Sequence, residues 1–475
     1  MKLDFKNNPH DAKAMRGKKV AVLGLGIEGL SSARFLAGRG AKVSVFDKRE
    51  KSKIETTYLK ALEKLGIDFY GGENYLEKLN NFDLVVRSPG VRLDKVKSPK
   101  SKAQSQIITS QTKLFFDLCP CKIVGITGTK GKGTTSALLY EILKNAEKDV
   151  YLGGNIGLPP LEFLDNLNPQ SITILELSSF QLMDLEKSPN IAIMLMTVPE
   201  HLNYHENMEE YVEAKRNLVR FQKSSDYAIL NYDYPASNES DILTDGKVYK
   251  ISRENQVLSE AVFIKNKTIW FRENGKEEFV IDCKDILLKG EHNLENVSAA
   301  IIASKILGVS VPKIVSVLKT FKGLEHRLEL VSIVEDVKYY DDSFSTTPET
   351  AIAAIKAFKE PEILILGGSS KNSDFKELGE VISNAGNIKA IIGIGQEWEK
   401  IKPEIKDVRI ILVEGAKTMS QIVAAASKIA KPENVVLLTP ACASFGMFKN
   451  YKERGEQFKQ EVFRLNSKFK IQNAK

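Results

Sequence analysis

The strongest chemical signal in the chain is the run Gly125-Ile126-Thr127-Gly128-Thr129-Lys130-Gly131-Lys132-Gly133-Thr134-Thr135. Glycines at this spacing let backbone N–H groups converge on phosphate oxygens. A helix opening behind them adds its positive end, and Lys132 can reach the β and γ phosphates of a nucleotide. The usual phosphate loop sets a Ser or Thr directly after the lysine to ligate Mg²⁺, but Gly133 stands there and the hydroxyl moves to Thr134. Either the loop is locally one residue longer, or Thr134 and Thr135 divide the metal and phosphate roles. A bland glycine turn between strand and helix is the alternative reading.

A second glycine run, Gly24-Leu25-Gly26-Ile27-Glu28-Gly29, has Asp47 placed after it where a dinucleotide fold sets its ribose-binding acid. On local pattern alone it suggests NAD. The same geometry serves any diphosphate, a nucleotide sugar included, and the pattern leaves both open.

Both runs need a strand behind and a helix ahead. Val20 to Leu23, Gly29 to Gly38 and Lys42 to Phe46 read as one βαβ unit, and Leu84 to Arg87 as a further strand ending in the turn Ser88-Pro89-Gly90. Lys122 to Thr127 and a helix from about Thr134 to Asn145 flank the phosphate loop, with strands expected at 172–177, 191–197 and 227–231. Segments from Lys247 to Cys283 read as antiparallel strands, and Glu291 to Leu318 as helix-rich. From His326 the alternation returns: Lys338 to Asp341, a helix from Pro348 to Phe358, then strands at 362–366, 390–394, 408–413 and 435–438. The expectation is an α/β protein of three domains: a Rossmann-like domain at 1–118, a central P-loop α/β domain at 119–325 and a C-terminal Rossmann-like domain at 326–475.

Bulk composition narrows the function. Of the 475 residues 43% are hydrophobic and 27% charged, the balance of folded globular domains. The net charge of +7 comes without the dense basic block that marks a nucleic-acid footprint, and it fits small anionic substrates better than DNA. The basic, polar start is not a secretory signal, and no apolar run approaches the roughly 18 residues of a membrane span, so a cytoplasmic protein is expected. Cys119, Cys121, Cys283 and Cys442 are too few for a disulfide framework, and Cys119-Pro120-Cys121 lacks a redox spacing; all four read as structural thiols.

Further ordered motifs follow the loop: Leu175-Glu176-Leu177-Ser178-Ser179-Phe180-Gln181-Leu182, Glu200-His201-Leu202-Asn203, Lys215, His292-Asn293-Leu294-Glu295-Asn296, His326-Arg327 and Pro440-Ala441-Cys442-Ala443-Ser444-Phe445. Together they resemble the Mur ligases from Lys18 to about Phe458, and within that family the branch that adds D-glutamate to UDP-N-acetylmuramoyl-L-alanine. The resemblance implies an ATP-dependent ligase of cell-wall precursor synthesis that phosphorylates a carboxylate and lets an amine displace the phosphate. Its first domain would hold the UDP portion, its middle domain ATP and its last the amino acid, in a monomer that binds neither nucleic acid nor membrane. Domain closure would assemble the site.

The resemblance also assigns residues. Ile27, Glu28, Asp47, Lys48, Arg49, Ser88, Pro89, Gly90 and Asn155 would surround the sugar nucleotide. Gly128 to Thr135, Asn293, Asn296, Arg327 and Asp342 would hold ATP, and Thr346, Lys371, Ser444, Phe445 and Tyr451 the D-glutamate. Lys132, Glu176, His201, Lys215 and Arg327 would be catalytic, with Thr134, Glu176, His201 and a carbamylated Lys215 around Mg²⁺. Read without the family, His201 is a loop histidine, Lys215 a solvated helix lysine and the two asparagines helix caps. Phe344 departs from the pattern, standing where many of these ligases carry lysine near the acceptor carboxylates. The loop Lys132-Gly133-Thr134 is closer to folylpolyglutamate synthases, which lack the leading nucleotide-sugar domain. A non-catalytic nucleotide-binding relative and an NAD-dependent oxidoreductase stay open as rivals; the latter would leave the phosphate loop unexplained.

Overall fold

The computed structural model describes residues 15–79, 81–97, 107–198, 200, 204–254, 259–288, 290–369 and 373–473. His201 and Lys371 lie outside the described residues. The chain divides into two compact units, one of residues 1–285 and 295–317, the other of residues 286–294 and 318–475.

The first unit carries two sheets. Strands β1 (Lys19–Leu23), β2 (Lys42–Asp47), β3 (Asp68–Gly71), β4 (Leu84–Arg87) and β5 (Ile107–Ser110) pair in parallel in the order β3-β2-β1-β4-β5. Order reverses across β1 and β4, the switch point at which α/β sheets open a crevice. The second sheet holds β6 (Lys122–Thr127), β7 (Val150–Gly154), β8 (Ile172–Glu176), β9 (Ile191–Met194), β10 (Tyr227–Asn231), β11 (Lys247–Ser252), β12 (Ala261–Lys265), β13 (Thr268–Glu273) and β14 (Lys276–Asp282). Its order is β14-β13-β12-β11-β10-β9-β6-β8-β7. Central strands such as Ile172–Glu176 and Ile191–Met194 are buried throughout, the mark of a parallel sheet covered on both faces.

The expected antiparallel run from Lys247 to Cys283 is only partly present. β11 joins β10 in parallel and β12 joins β11 in parallel; only β12-β13-β14 run antiparallel. The crossover ahead of β11 is made by a four-residue helix, Pro235–Asn238, and a 3-10 turn, Glu239–Leu243, too short to announce a βαβ unit.

The two sheets of this unit share one continuous core, running from Val20 and Leu36 through Phe115 to Phe163, Leu175 and Leu182. Around it lie the ion pairs Arg34–Glu162, Arg39–Asp165 and the buried Arg87–Asp184, at 3.1, 2.7 and 2.7 Å.

The second unit holds β15 (Glu329–Val334), β16 (Val337–Asp341), β17 (Glu362–Gly367), β18 (Ile388–Ile394), β19 (Ile411–Val413) and β20 (Val435–Leu438), in the order β15-β16-β20-β17-β18-β19. Only the β15–β16 hairpin is antiparallel. No helix among the described residues is long and apolar enough to cross a membrane.

Candidate active site

The phosphate loop lies between β6 and the helix Lys132–Asn145, which begins two residues earlier than its apolar pattern indicates. Gly131 caps that helix with φ of 86°, a left-handed conformation that favours glycine. A Cβ there would also sit 2.2 Å from Asn296 Oδ1, so the Asn296 amide packs directly on the loop, where Thr135 Oγ1 donates to it at 3.2 Å. Neither Asn293 nor Asn296 is a helix cap: both lie inside the helix His292–Ile306 and both are buried. The Lys132 ammonium turns back over the loop and donates to Gly128 O and Thr129 O at 2.8 and 3.1 Å. Lys130 pairs with Glu200 at 2.6 Å. The Thr129 hydroxyl is fixed at Val198 O and at the Tyr211 hydroxyl, both 2.9 Å away.

Beneath the loop Lys215 is 1% exposed, not the solvated lysine its helix pattern suggests. Its amine donates to Gly128 O at 2.9 Å and lies 4.6 Å from the centre of the Tyr211 ring. Burial, reinforced by the Lys132 charge, holds its pKa well below the lysine range, against the pull of Glu200 and Glu176. Glu176 closes β8, also buried. Its Oε1 accepts from Asn155 Nδ2 at 2.8 Å, while Oε2 has no hydrogen-bond partner. A buried carboxylate oxygen left in this state beside a phosphate loop fits a hard, oxygen-seeking cation such as Mg²⁺.

Asn155 is shared with a second feature, a cavity of about 840 Å³ at the switch point of the first sheet. Ile27, Glu28, Asp47, Lys48, Arg49, Ser88, Pro89, Gly90 and Asn155 all line it. Asp47 is not free for a ribose. Its oxygens accept from Leu25 N at 2.7 Å, Arg49 N at 2.8 Å and the Arg49 guanidinium at 2.9 and 2.8 Å. Burial works against ionisation there, but these donors outweigh it and hold the carboxyl below its usual range. The Asp47 carboxylate therefore stiffens the glycine loop. Glu28 behaves oppositely: burial lifts its pKa to about 7, with Gln181 and Arg87 pulling the other way. Gln181 Nε2 donates to Glu28 Oε1 at 2.7 Å, and Gln181 Oε1 accepts from Ser178 N at 2.9 Å. One glutamine thus joins the cavity to the cap of the Ser179–Leu182 helix.

In the second unit Arg327 stacks on Phe344, its Cζ 3.8 Å from the ring centre, and Phe344 meets Tyr451 edge-on at 5.0 Å. The aromatic residue at position 344 thus pairs with a cation of its own unit. Asp342 is fully buried, and its oxygens accept from Leu328 N at 3.2 Å, Thr439 Oγ1 at 3.0 Å and the Ser345 hydroxyl. Burial raises its carboxyl to about 7 despite these bonds. Ser444 is buried and Phe445 exposed.

The middle-domain model of the Mur ligases matches residues 126–304, the MurD-like N-terminal model residues 18–109 and the Mur ligase glutamate-ligase domain model residues 326–442. A protein of Acetivibrio thermocellus named UDP-N-acetylmuramoylalanine--D-glutamate ligase is 38% identical over 457 residues, 95% of this chain and 97% of its own. One of the same name from Clostridium botulinum (strain Langeland) is 39% identical over 94% of this chain and 97% of its own. The chain belongs to the Mur ligase family. Solved structures agree on the fold: a MurF ligase of Thermotoga maritima in complex with ADP has a TM-score of 0.57 at 17% identity, covering 95% of this chain and 97% of its own. A pseudomurein peptide ligase type C of Methanothermus fervidus has a TM-score of 0.55 at 18% identity, covering 94% of this chain and 100% of its own.

Several residues that shape this Mur ligase escaped the sequence reading. Arg87 is wholly buried and ties the Ser88-Pro89-Gly90 turn, through Pro89 O and Val91 O, to the Ser179–Leu182 helix and the residues after it, through Phe180 O and Asp184. Tyr204 lines the cavity and donates to Pro89 O at 2.8 Å. Tyr211 braces both Thr129 and Lys215. In the second unit the buried Arg454 binds Ser343 and Cys442 O. Each is an ordinary strand, loop or helix residue by local pattern; only a partner distant in sequence distinguishes it.

Proposed function

We propose that this chain is the ligase that joins D-glutamate to UDP-N-acetylmuramoyl-L-alanine, driven by ATP, in cytoplasmic synthesis of a cell-wall precursor. The observation that carries the reading is Asn155, which lines the cavity and donates to Glu176 beside the phosphate loop. A sugar nucleotide seated in the cavity would point its far end, the alanine carboxylate, toward ATP. The relatives' shared name supports the same substrates. We further propose a division of labour at residues 1–118, 119–325 and 326–475, in a protein that acts as a monomer.

In the proposed reaction a carboxylate oxygen attacks the γ phosphorus of ATP, the bond to the β-phosphate oxygen breaks, and ADP leaves. The amine of D-glutamate then attacks the acyl carbon, phosphate departs, and the amine proton passes to solvent or a nearby base. Phosphoryl transfer needs alignment and charge neutralisation more than covalent help from the protein. Lys132 and the backbone N–H groups from Gly128 to Thr135 would supply both, with Asn293, Asn296, Arg327 and Asp342 assigned to ATP. Asp342 would act by holding its own loop, since its oxygens already accept from Leu328, Ser345 and Thr439. Thr134, Glu176, His201 and Lys215 would hold Mg²⁺, which when bound neutralises phosphate charge. Thr346, Lys371, Ser444, Phe445 and Tyr451 are assigned to D-glutamate.

Lys215 would serve as a carbamate. Burial lowers the Lys215 pKa and so favours the neutral, nucleophilic amine, whose attack on CO₂ with loss of one proton would give an anionic oxygen ligand. Intact mass and ¹³CO₂ labelling test this; no carbamate at Lys215 in the protein bound to ATP analogue and sugar substrate contradicts it.

A folate substrate would leave the cavity on the first sheet without a use. The acyl-phosphate step is tested by labelling the alanine carboxylate with ¹⁸O: one label should appear in released phosphate, and phosphate free of label, its fourth oxygen taken from solvent, would refute it.

A further inference from the structure

Cys119 ends the helix Gln111–Leu118 and Cys121 precedes β6, so the two thiols stand on the connection between the first and second sheets. Their sulfurs face each other at 3.5 Å, and Cys121 Sγ also lies 3.4 Å from Thr173 Oγ1 on β8. Both residues are partly exposed. The spacing, one residue shorter than Cys-x-x-Cys, made them read as structural thiols, but the 3.5 Å separation shows that both side chains reach the same side of the connection.

We propose that Cys119 and Cys121 form a reversible redox site, in which two-electron oxidation by a peroxide or a small disulfide joins their sulfurs as an intrachain disulfide. The two sulfurs are not equivalent. The hydrogen bond from Cys119 lowers the Cys121 thiol to about 7, against burial and with help from Thr173, while the same bond and burial raise Cys119. Cys121 is therefore the attacking thiolate. It takes one oxygen of hydrogen peroxide as the O–O bond breaks, the hydroxide leaves as water, and Cys121 becomes a sulfenic acid. Cys119 then attacks that sulfur, its proton goes to the departing hydroxyl, and a second water forms. Two thiols and one peroxide give one disulfide and two waters, the sulfurs oxidised and the peroxide reduced. Cysteines two residues apart keep their Cα atoms within reach of such a bond. The site lies at the amino end of β6, about 20 Å of strand from the phosphate loop, so its chemistry can be read without ligase turnover.

The test uses the full chain under native conditions. Hydrogen peroxide or oxidised glutathione is added and then removed, the protein is denatured so that every remaining thiol, the buried Cys442 included, is trapped with N-ethylmaleimide, and it is analysed by intact mass and peptide mapping. The expected result is loss of two hydrogens in a peptide linking Cys119 to Cys121, reversed by dithiothreitol, with Cys283 and Cys442 still alkylated. Cys119→Ser should instead accumulate a sulfenic acid or glutathione adduct on Cys121. In the unmodified chain the rate of Cys121 alkylation by iodoacetamide should rise through a midpoint near pH 7, several-fold faster at that pH than at Cys283. Separate alkylation of both cysteines after oxidation, or a sulfinic acid on Cys121 with Cys119 free, overturns the proposal.

Discussion

Two strand–glycine–helix units in this chain have nearly the same plan and different internal chemistry. In the first, the loop after β1 is fastened by a carboxylate: Asp47 accepts from Leu25 N and is held by Arg49. In the second, the loop after β6 is fastened by amines: Lys132 and Lys215 both donate to Gly128 O. Each unit also shifts a titratable group toward its neutral form, Glu28 raised to about 7 beside the first loop and Lys215 lowered beneath the second. A glycine spacing alone therefore specifies a place for phosphate but not which phosphate. The surrounding charges choose: a loop ringed by lysines suits the transferring end of ATP, and a loop stiffened by an aspartate–arginine pair suits a diphosphate that is only held.

The sharpest way to separate the two loops is Lys132→Ala. We expect turnover to fall on the order of 10³-fold, with the KM for sugar nucleotide little changed, as measured by phosphate release; a rise confined to that KM would break the comparison. Next comes the Arg87–Asp184 tie within the first compact unit. Arg87→Leu leaves Asp184 buried without its cation and should lower unfolding stability by about 3–5 kcal/mol in urea titration, whereas a loss below about 1 kcal/mol would make the pair a bystander. Asp47→Asn should raise the KM for sugar nucleotide about tenfold, a loss of roughly 1.4 kcal/mol, and leave kcat unchanged. A fall in kcat instead would place Asp47 in the chemistry.

The smallest effect concerns pH. The Glu28 carboxyl holds its proton below about 7 and ionises above it, adding a negative charge to a cavity proposed for an anion. Affinity for sugar nucleotide should weaken a few-fold as pH rises through 7 in the wild type, and Glu28→Gln should flatten that slope. Identical profiles would remove Glu28 from the account.

Much of this was legible in the sequence because glycines, strand patterns and loop residues are local. Of the nine residues expected around a sugar nucleotide, eight converge on one cavity from the loops that follow β1, β2 and β4 of the first sheet, and Asn155 joins them from the end of β7 in the second. What escaped depends on distant partners. Lys215 belongs to an amphipathic helix, Met208–Arg220, whose own pattern gives no sign that one lysine is buried under a loop 80-odd residues earlier. Arg87 reads only as the end of an apolar strand, and nothing local shows that it is buried against Asp184. Strand β11 was mistaken for an antiparallel one because its crossover is so short. That the thiols at 119 and 121 face each other at 3.5 Å was not legible either, because spacing carries no information on the direction of side chains.

The central claim is tested most directly by phosphate release from ATP in the presence of magnesium and UDP-N-acetylmuramoyl-L-alanine, with D-glutamate, D-aspartate, L-glutamate or L-lysine added separately. Release that needs both the sugar nucleotide and D-glutamate is the predicted result, and it would show that Phe344 is compatible with that acceptor. Release with another amino acid would contradict the acceptor assignment, and no release with any of the four would contradict the ligase reading itself.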